Sequence, residues 1–287
     1  MQKYVKLLRV KHYIKNLFVF LPLFFAGKLF DQTALLQAAW SFLSFCLIAS
    51  SVYIVNDYVD MENDKIHPVK CKRPFASGDV PLSQGFILWL LLWLASFLLA
   101  YDISKNTFCV IVAYKLMNLC YSFYLKKLPI IDISIVSLGF VFRLFVGGYA
   151  TGVELSEWII LMTFLFALFV AIAKRRDDVL MMEKGTQVRE AISGYNLKFV
   201  DLTMVMIGGV IIVCYIMYSL TPSVQVRMGG RSLYFTTYFV ILAVLRYMQL
   251  AFVENRTGSP TALAYSDRFL QLTLLAWIVT FIWLIYL

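Results

Sequence analysis

The sequence predicts an all-α fold, a polytopic membrane protein that crosses the bilayer about nine times. Three observations carry this. Of the 287 residues 61% are hydrophobic and only 15% are charged, against about half and about a quarter in soluble domains. The apolar stretches run on without the polar faces, at helical or strand period, that a soluble core requires. The 26 Lys and Arg residues are also spread unevenly along the chain, in the manner that fixes membrane topology.

The expected spans lie near 14–30, 34–56, 83–101, 106–124, 130–150, 157–174, 200–220, 232–254 and 268–286. Each can reach across a hydrocarbon core about 30 Å thick. The first is the weakest, because Pro22 and Gly27 would kink or shorten it. The second runs into an acidic stretch, and the third is nearly continuous Leu, Trp and Phe. The fourth and fifth carry Lys115, Asp132 and Arg143 inside apolar surroundings. The sixth ends on the basic run "KRR", the eighth holds Arg246, and the seventh and ninth are almost wholly apolar. No small-residue cleavage site follows the basic N-terminus, so no cleavable signal peptide is expected.

The net charge of +9 would suit a nucleic-acid binder, but its placement argues otherwise. With the N-terminus inside, most basic residues fall in cytoplasmic segments, while Lys28, Lys105, Arg227 and Arg231 fall outside. That skew is the positive-inside rule, with the N-terminus in and the C-terminus out. No nucleic-acid partner is expected. The longer charged loops, 57–82, 175–199 and 255–267, all face inward, so the working surface is expected on the cytoplasmic side of a cell membrane. Residues 1–287 read as one integral-membrane domain without linkers or repeats. The five cysteines lack CxxC spacing, and with two histidines neither a disulfide framework nor a zinc site is indicated.

The stretch "NDYVDMENDKIHPVKCKRP" (56–74) concentrates charge where the second span ends. At about 100° per residue, Asn56, Asp57, Asp60 and Asp64 occupy one arc of about 100° if the helix continues. Three clustered carboxylates repel and need a counter-charge. Hard oxygen donors of this kind suit Mg²⁺, which takes one or two carboxylates plus substrate phosphates. The competing reading is a solvated loop, which gives no reason for N-D-x-x-D-x-x-x-D spacing.

This stretch resembles the first aspartate-rich motif, followed by its basic Arg-Pro element, of the UbiA superfamily of intramembrane prenyltransferases. The resemblance implies nine transmembrane helices around a cavity open to the cytoplasm. It also implies Mg²⁺ bridging Asp57, Asp60 and Asp64 to a diphosphate, with these residues central to catalysis. The segments 8–31, 121–148, 174–201 and 246–270 resemble the decaprenyl-phosphate phosphoribosyltransferase branch. Those enzymes move 5-phosphoribose from phosphoribosyl diphosphate to a polyprenyl phosphate. The aromatic prenyltransferases carry a second DxxxD motif after the sixth span, where this chain has "KRRDD" with no acid four residues beyond Asp177 or Asp178.

Polar residues inside the spans add candidates. Tyr114, Lys115, Asn118, Tyr121 and Ser122 share an arc of about 120°, and Asp132 and Arg143 lie within about 20° of each other. Ionisable groups in a bilayer face the bundle interior or a wet cavity. Asn118 and Tyr121 read as substrate contacts, and Asp132 and Arg143 read either as substrate contacts or as members of an internal pair, Asp132 with Lys115 or Arg143. A donor bearing a diphosphate and a 5-phosphate calls for cationic clamps. Arg73, Lys126, Lys174, Arg175 and Arg189 are candidates, with Lys70 beside Arg73. Asn56, Lys15, Asn16, Asp178, Tyr195, Asp267 and Arg268 complete the expected substrate-binding set, and Asp267 reads equally as a helix cap. Mg²⁺ would draw charge onto the leaving diphosphate while ribose C1 gains oxocarbenium character. The rival readings are prenyl transfer from a polyprenyl diphosphate to an aromatic acceptor, and transport of a phosphorylated solute. A homo-oligomer is left open.

Overall fold

The computed structural model describes residues 2–67, 69–184, 190–227, 232–256, 263 and 266–286. Among these the fold is all-α, without strands. Eight long helices follow in chain order: α1 (Gln32–Val59), α2 (Leu82–Ile103), α3 (Lys105–Phe123), α4 (Ile131–Thr151), α5 (Glu157–Glu183), α6 (Leu197–Leu220), α7 (Thr237–Phe252) and α8 (Arg268–Tyr286). Short polar side chains set where several begin. Asp31 accepts from the Thr33 and Ala34 N–H groups at 3.0 and 3.1 Å, and Ser104 from Thr107 at 3.1 Å. Asn196 accepts from Phe199 at 2.8 Å. Each satisfies donors that the first turn leaves without helical partners.

Among the described residues, seven helical stretches are long and apolar enough to cross a membrane, against nine expected. α3 falls outside the set because Lys105, Lys115 and Asn118 interrupt its apolar run. Residues 14–30 form no continuous helix. A 3₁₀ helix over Val10–Phe20 passes into a short α-helix, Leu21–Phe25, and Gly27 turns the chain at φ 71°. Pro22 stands in the first turn of that short helix, where its missing N–H is no loss. α5 runs on to Glu183, so the stretch from Lys174 to Asp178, expected at a loop boundary, is helical.

The chain divides into two compact units, Met1–Lys126 with Leu138–Leu155, and Lys127–Ser137 with Ser156–Leu287. In the first, α1 packs on α2 and α3. Ser44 and Ser96 are fully buried and exchange hydrogen bonds, each hydroxyl donating to the other's backbone carbonyl at 2.9 and 2.8 Å. Small residues let helices approach closely where lipid offers no hydrophobic drive. The same logic governs Gly147, where a Cβ would lie 1.9 Å from the Val19 carbonyl oxygen. Phe45, Ile48, Ile111 and Val146 fill the space around these contacts.

In the second unit α5 packs on α6, and α7 on α6 and α8. Phe169, Ile172, Met204, Ile207, Tyr247 and Leu250 form its core. The fully buried Tyr215 ties α6 to α8, its hydroxyl accepting from Trp277 Nε1 at 2.8 Å.

Candidate active site

The charged stretch is built on the end of α1, in the first unit. Val59 is the last residue of the helix, yet the ladder barely breaks. Asp60 N–H donates to the Asn56 carbonyl at 3.0 Å and Asp64 N–H to the Asp60 carbonyl at 2.8 Å, and a short helix covers Met61–Lys65. Helical phase is therefore kept across 56–64, and the four polar residues share a face as their spacing requires.

The counter-charge that three neighbouring carboxylates need comes from bases distant in sequence. Asp57, only 2% exposed, pairs with Arg9. Arg73 Nη1 lies 3.2 Å from Asp57 Oδ1 and 2.6 Å from Asp64 Oδ2, so one guanidinium serves both acids. Asp60 pairs with Lys126 and accepts from Asn56 Nδ2 at 3.1 Å. The loop after Asp64 is held by His67, whose Nδ1 accepts from the N–H groups of Val69 and Lys70 at 3.1 and 3.2 Å. Burial, then the neighbouring Lys70 charge, holds the His67 imidazole below its ordinary value of 6.5. Beside Asp57 opens a cavity of about 360 Å³ lined by Lys6, Arg9, Lys70, Lys72 and Arg73.

The donor set fits a hard divalent cation. Two buried carboxylates already share one cationic partner, and Mg²⁺ accepts one or two carboxylates with phosphate oxygens or water completing its shell. No three His, Cys, Asp or Glu side chains close a metal cage by themselves among the described residues. Each of the three carboxylates is instead engaged by a base.

Elsewhere in the first unit Arg143, 5% exposed, donates from Nε to Asn16 Oδ1 at 2.9 Å and from Nη1 to the Gly139 carbonyl at 2.6 Å. Its guanidinium lies 4.6 Å from the Phe45 ring centroid. Asn16 in turn donates to Cys46 Sγ at 3.1 Å. Lys115 donates to Ser51 at 2.8 Å, and Asn118 turns back to the Tyr114 carbonyl at 2.8 Å. Lys15, Lys70 and Tyr121 are half-buried.

In the second unit the fully buried Asp132 carboxylate accepts from Arg175 Nε at 2.8 Å and from the Tyr195 hydroxyl at 2.7 Å. Arg175 reaches onward to Asp178 at 2.7 Å, and the Tyr195 oxygen accepts from Ile130 N–H at 2.6 Å. Burial first, then the bond to Asp132, raises the Tyr195 pKa, which keeps the phenol a donor. Four of the expected residues or their partners thus converge where α4 begins and α5 ends. Lys174 and Arg268 are exposed, and Arg189 lies outside the described residues. Asp267 is the cap that its position suggested, accepting from Leu270 N–H at 2.8 Å, and Arg246 Nη2 reaches it at 2.6 Å. Arg246 holds the Asp267 carboxyl below the ordinary carboxylate range.

Sequence reasoning missed Arg9 and Arg246 as partners. The available signals were the basic N-terminus for the first and an arginine stranded within an apolar run for the second.

Comparison with known proteins places the chain. The UbiA prenyltransferase family model matches residues 17–275. The decaprenyl-phosphate phosphoribosyltransferase of Corynebacterium glutamicum is 32% identical, with 98% of this chain and 86% of the relative covered. That of Mycolicibacterium smegmatis is also 32% identical, covering 96% and 90%. Among solved structures, a UbiA homolog from Archaeoglobus fulgidus bound to DMAPP and Mg²⁺ shares the fold. Its TM-score is 0.72 and its identity 16%, with 99% of each chain covered. The chain belongs to the UbiA prenyltransferase family and is a multi-pass membrane protein.

Proposed function

We propose that this member of the family transfers 5-phosphoribose from phosphoribosyl diphosphate to a polyprenyl phosphate of the decaprenyl type, releasing diphosphate. The observation that carries the reading is the 32% identity to two decaprenyl-phosphate phosphoribosyltransferases over nearly the whole chain. The acid-and-base cluster at the end of α1 supports it from the chemical side.

A lipid phosphate oxygen attacks ribose C1, the C1–O bond to diphosphate breaks, and the departing electron pair stays on diphosphate. The attacking oxygen is already anionic, so no strong base is required. Asp57, Asp60 and Asp64 would hold Mg²⁺, which when bound supplies Lewis-acid stabilisation of the leaving group. Arg73 and Lys126 stand against the same carboxylates and are placed to take over phosphate oxygens as charge develops there. Asn56 fixes the Asp60 carboxylate. In the second unit, Asp132 and Tyr195 hold Arg175 in one orientation, leaving Asp178 as the acid at the edge of that cluster. Asn16, Arg143 and Asn118 line the polar interior of the first unit. Lys70, Lys174 and Arg268 lend positive charge near the ends of apolar segments, where anionic substrates arrive; Lys15 adds a cation within the N-terminal 3₁₀ helix, and Arg189, outside the described residues, is kept as a candidate by its charge alone.

The membrane-embedded site follows from the substrates, one water-soluble and one confined to lipid. Counting Val10–Phe25 and α3 as embedded brings the total to nine segments, with the acid cluster on the cytoplasmic side by the positive-inside rule.

The test supplies each donor separately to purified protein with Mg²⁺. Label from phosphoribosyl diphosphate should enter polyprenyl phosphate. Transfer from a polyprenyl diphosphate to an aromatic acid, with none from phosphoribosyl diphosphate, would replace this reading by its nearest rival.

A further inference from the structure

The cavity beside Asp57 is more basic than its acids require. Arg9 and Arg73 answer the charges of Asp57 and Asp64. Lys6 and Lys72 line the same cavity, and neither forms an ion pair among the described residues. A volume of about 360 Å³ is at the small end of the range for ligand sites, roughly 300–1,000 Å³. It suits a compact polar group rather than a prenyl chain.

Two of its donors are fixed in advance. The Arg9 guanidinium pairs with Asp57 and lies 4.8 Å from the Tyr53 ring centroid. Its backbone sits at φ 51°, a left-handed conformation that non-glycine residues rarely hold without a functional reason. Arg73 is gripped by two carboxylates. Guanidinium groups already in position give up little entropy on meeting a phosphate.

We infer that this cavity takes the 5-phosphate of the sugar donor, with Lys6, Arg9 and Lys72 as its cationic walls and Asp57 as the partition between it and the diphosphate side. The inference rests on the phosphoribosyl reading above and deepens it. It gives the chain a physical means of preferring a donor with a second phosphate, since a prenyl diphosphate has no group to place there. Arg9 then has two tasks, neutralising the buried Asp57 and presenting its outer N–H groups to the phosphomonoester, while Arg73, shared by Asp57 and Asp64, stays with the diphosphate side. The acceptor also ends in a phosphate, so the test must separate the two sources.

Full-length protein in lipid nanodiscs is compared with the Lys6→Gln/Lys72→Gln variant. Two donors are used, phosphoribosyl diphosphate and ribosyl 1-diphosphate lacking the 5-phosphate. The variant is expected to raise KM for phosphoribosyl diphosphate roughly ten- to a hundredfold, the combined loss of two solvent-exposed charged contacts. KM for polyprenyl phosphate should stay the same, and the preference over the truncated donor should shrink by the same factor. Lys6→Arg/Lys72→Arg should restore most of the lost affinity. Without turnover, ribose 5-phosphate should raise the Tm of the wild type and not that of the Gln variant. An unchanged donor KM overturns the inference, and so does a rise in acceptor KM alone, which would assign the cavity to the lipid phosphate. Wild-type protein that transfers nothing from phosphoribosyl diphosphate would show instead that the donor itself is wrong.

Discussion

Arg73 Nη1 lies 2.6 Å from Asp64 Oδ2, and the same nitrogen is 3.2 Å from Asp57 Oδ1. One cation therefore holds together two acids about two helical turns apart, each nearly sealed from solvent. The arrangement makes the acidic face tolerable before any phosphate arrives.

Removing that cation should be felt in stability. Among the described residues, Arg73→Met leaves Asp57 with Arg9 alone and Asp64 with no ion pair. The expected loss is about 3 kcal/mol, the low end for breaking a buried pair, because Arg73 keeps some solvent contact. Thermal unfolding in detergent measures it. A change under about 0.5 kcal/mol, the level of an ordinary surface substitution, would mean that the bridge carries no weight.

Tyr195→Phe deletes one hydroxyl that donates to Asp132 and accepts from Ile130 N–H. The buried Asp132 keeps Arg175, but the Ile130 amide loses its partner. The expected cost is about 1–3 kcal/mol. Arg175 should also become more mobile, with a fall in turnover beyond what the lower Tm explains. Equal Tm and equal turnover would contradict the role given to this phenol.

The approach of α4 to the N-terminal 3₁₀ helix depends on the missing side chain at Gly147. An added Cβ would meet the Val19 carbonyl oxygen at 1.9 Å, and backbone cannot rotate away as a side chain can. Gly147→Ala should cost about 2–3 kcal/mol, within the range for overpacking. Gly209→Ala, with nothing within 4 Å of its Cβ, is the control and should be neutral or slightly stabilising.

His67 makes the segment it holds, Val69 to Arg73, sensitive to acid. Its folded pKa is lowered, so the folded loop favours the neutral ring. Its stabilising contribution is complete above the unfolded value of about 6.5 and fades as pH falls through the lowered folded value. Proteolytic nicking of this loop should rise on acidification below about pH 6.5, and His67→Gln should flatten the dependence. Greater nicking at alkaline pH would reverse the sign and refute the assignment.

The helices were legible because hydropathy and helical period act locally. Pro22 and Gly27 announced the broken first segment for the same reason, since each restricts or frees its own φ. The shared face of Asn56, Asp57, Asp60 and Asp64 was likewise a matter of phase along one helix. What stayed hidden was which base meets which acid. Arg9 and Asp57 are 48 residues apart, Lys126 and Asp60 are 66 apart, and Arg143 and Asn16 are 127 apart. Period along a helix ranks faces but says nothing about the element that a face will meet. Asp132 shows the consequence, because its phase along α4 gave no sign that Arg175 of α5 would meet it. The length of α5 was missed for a related reason. Paired Arg and Asp residues after the apolar run read as a loop, although ion pairs such as Arg175 with Asp178 and Arg176 with Asp201 let the helix continue.

The most direct measurement is the mass of the lipid formed when purified protein receives Mg²⁺, decaprenyl phosphate and phosphoribosyl diphosphate labelled in the ribose. A product heavier than the acceptor by one labelled phosphoribosyl group, absent with the Asp60→Asn/Asp64→Asn variant, is the predicted result. An unmodified acceptor, or the same product at an undiminished rate from that variant, would contradict it.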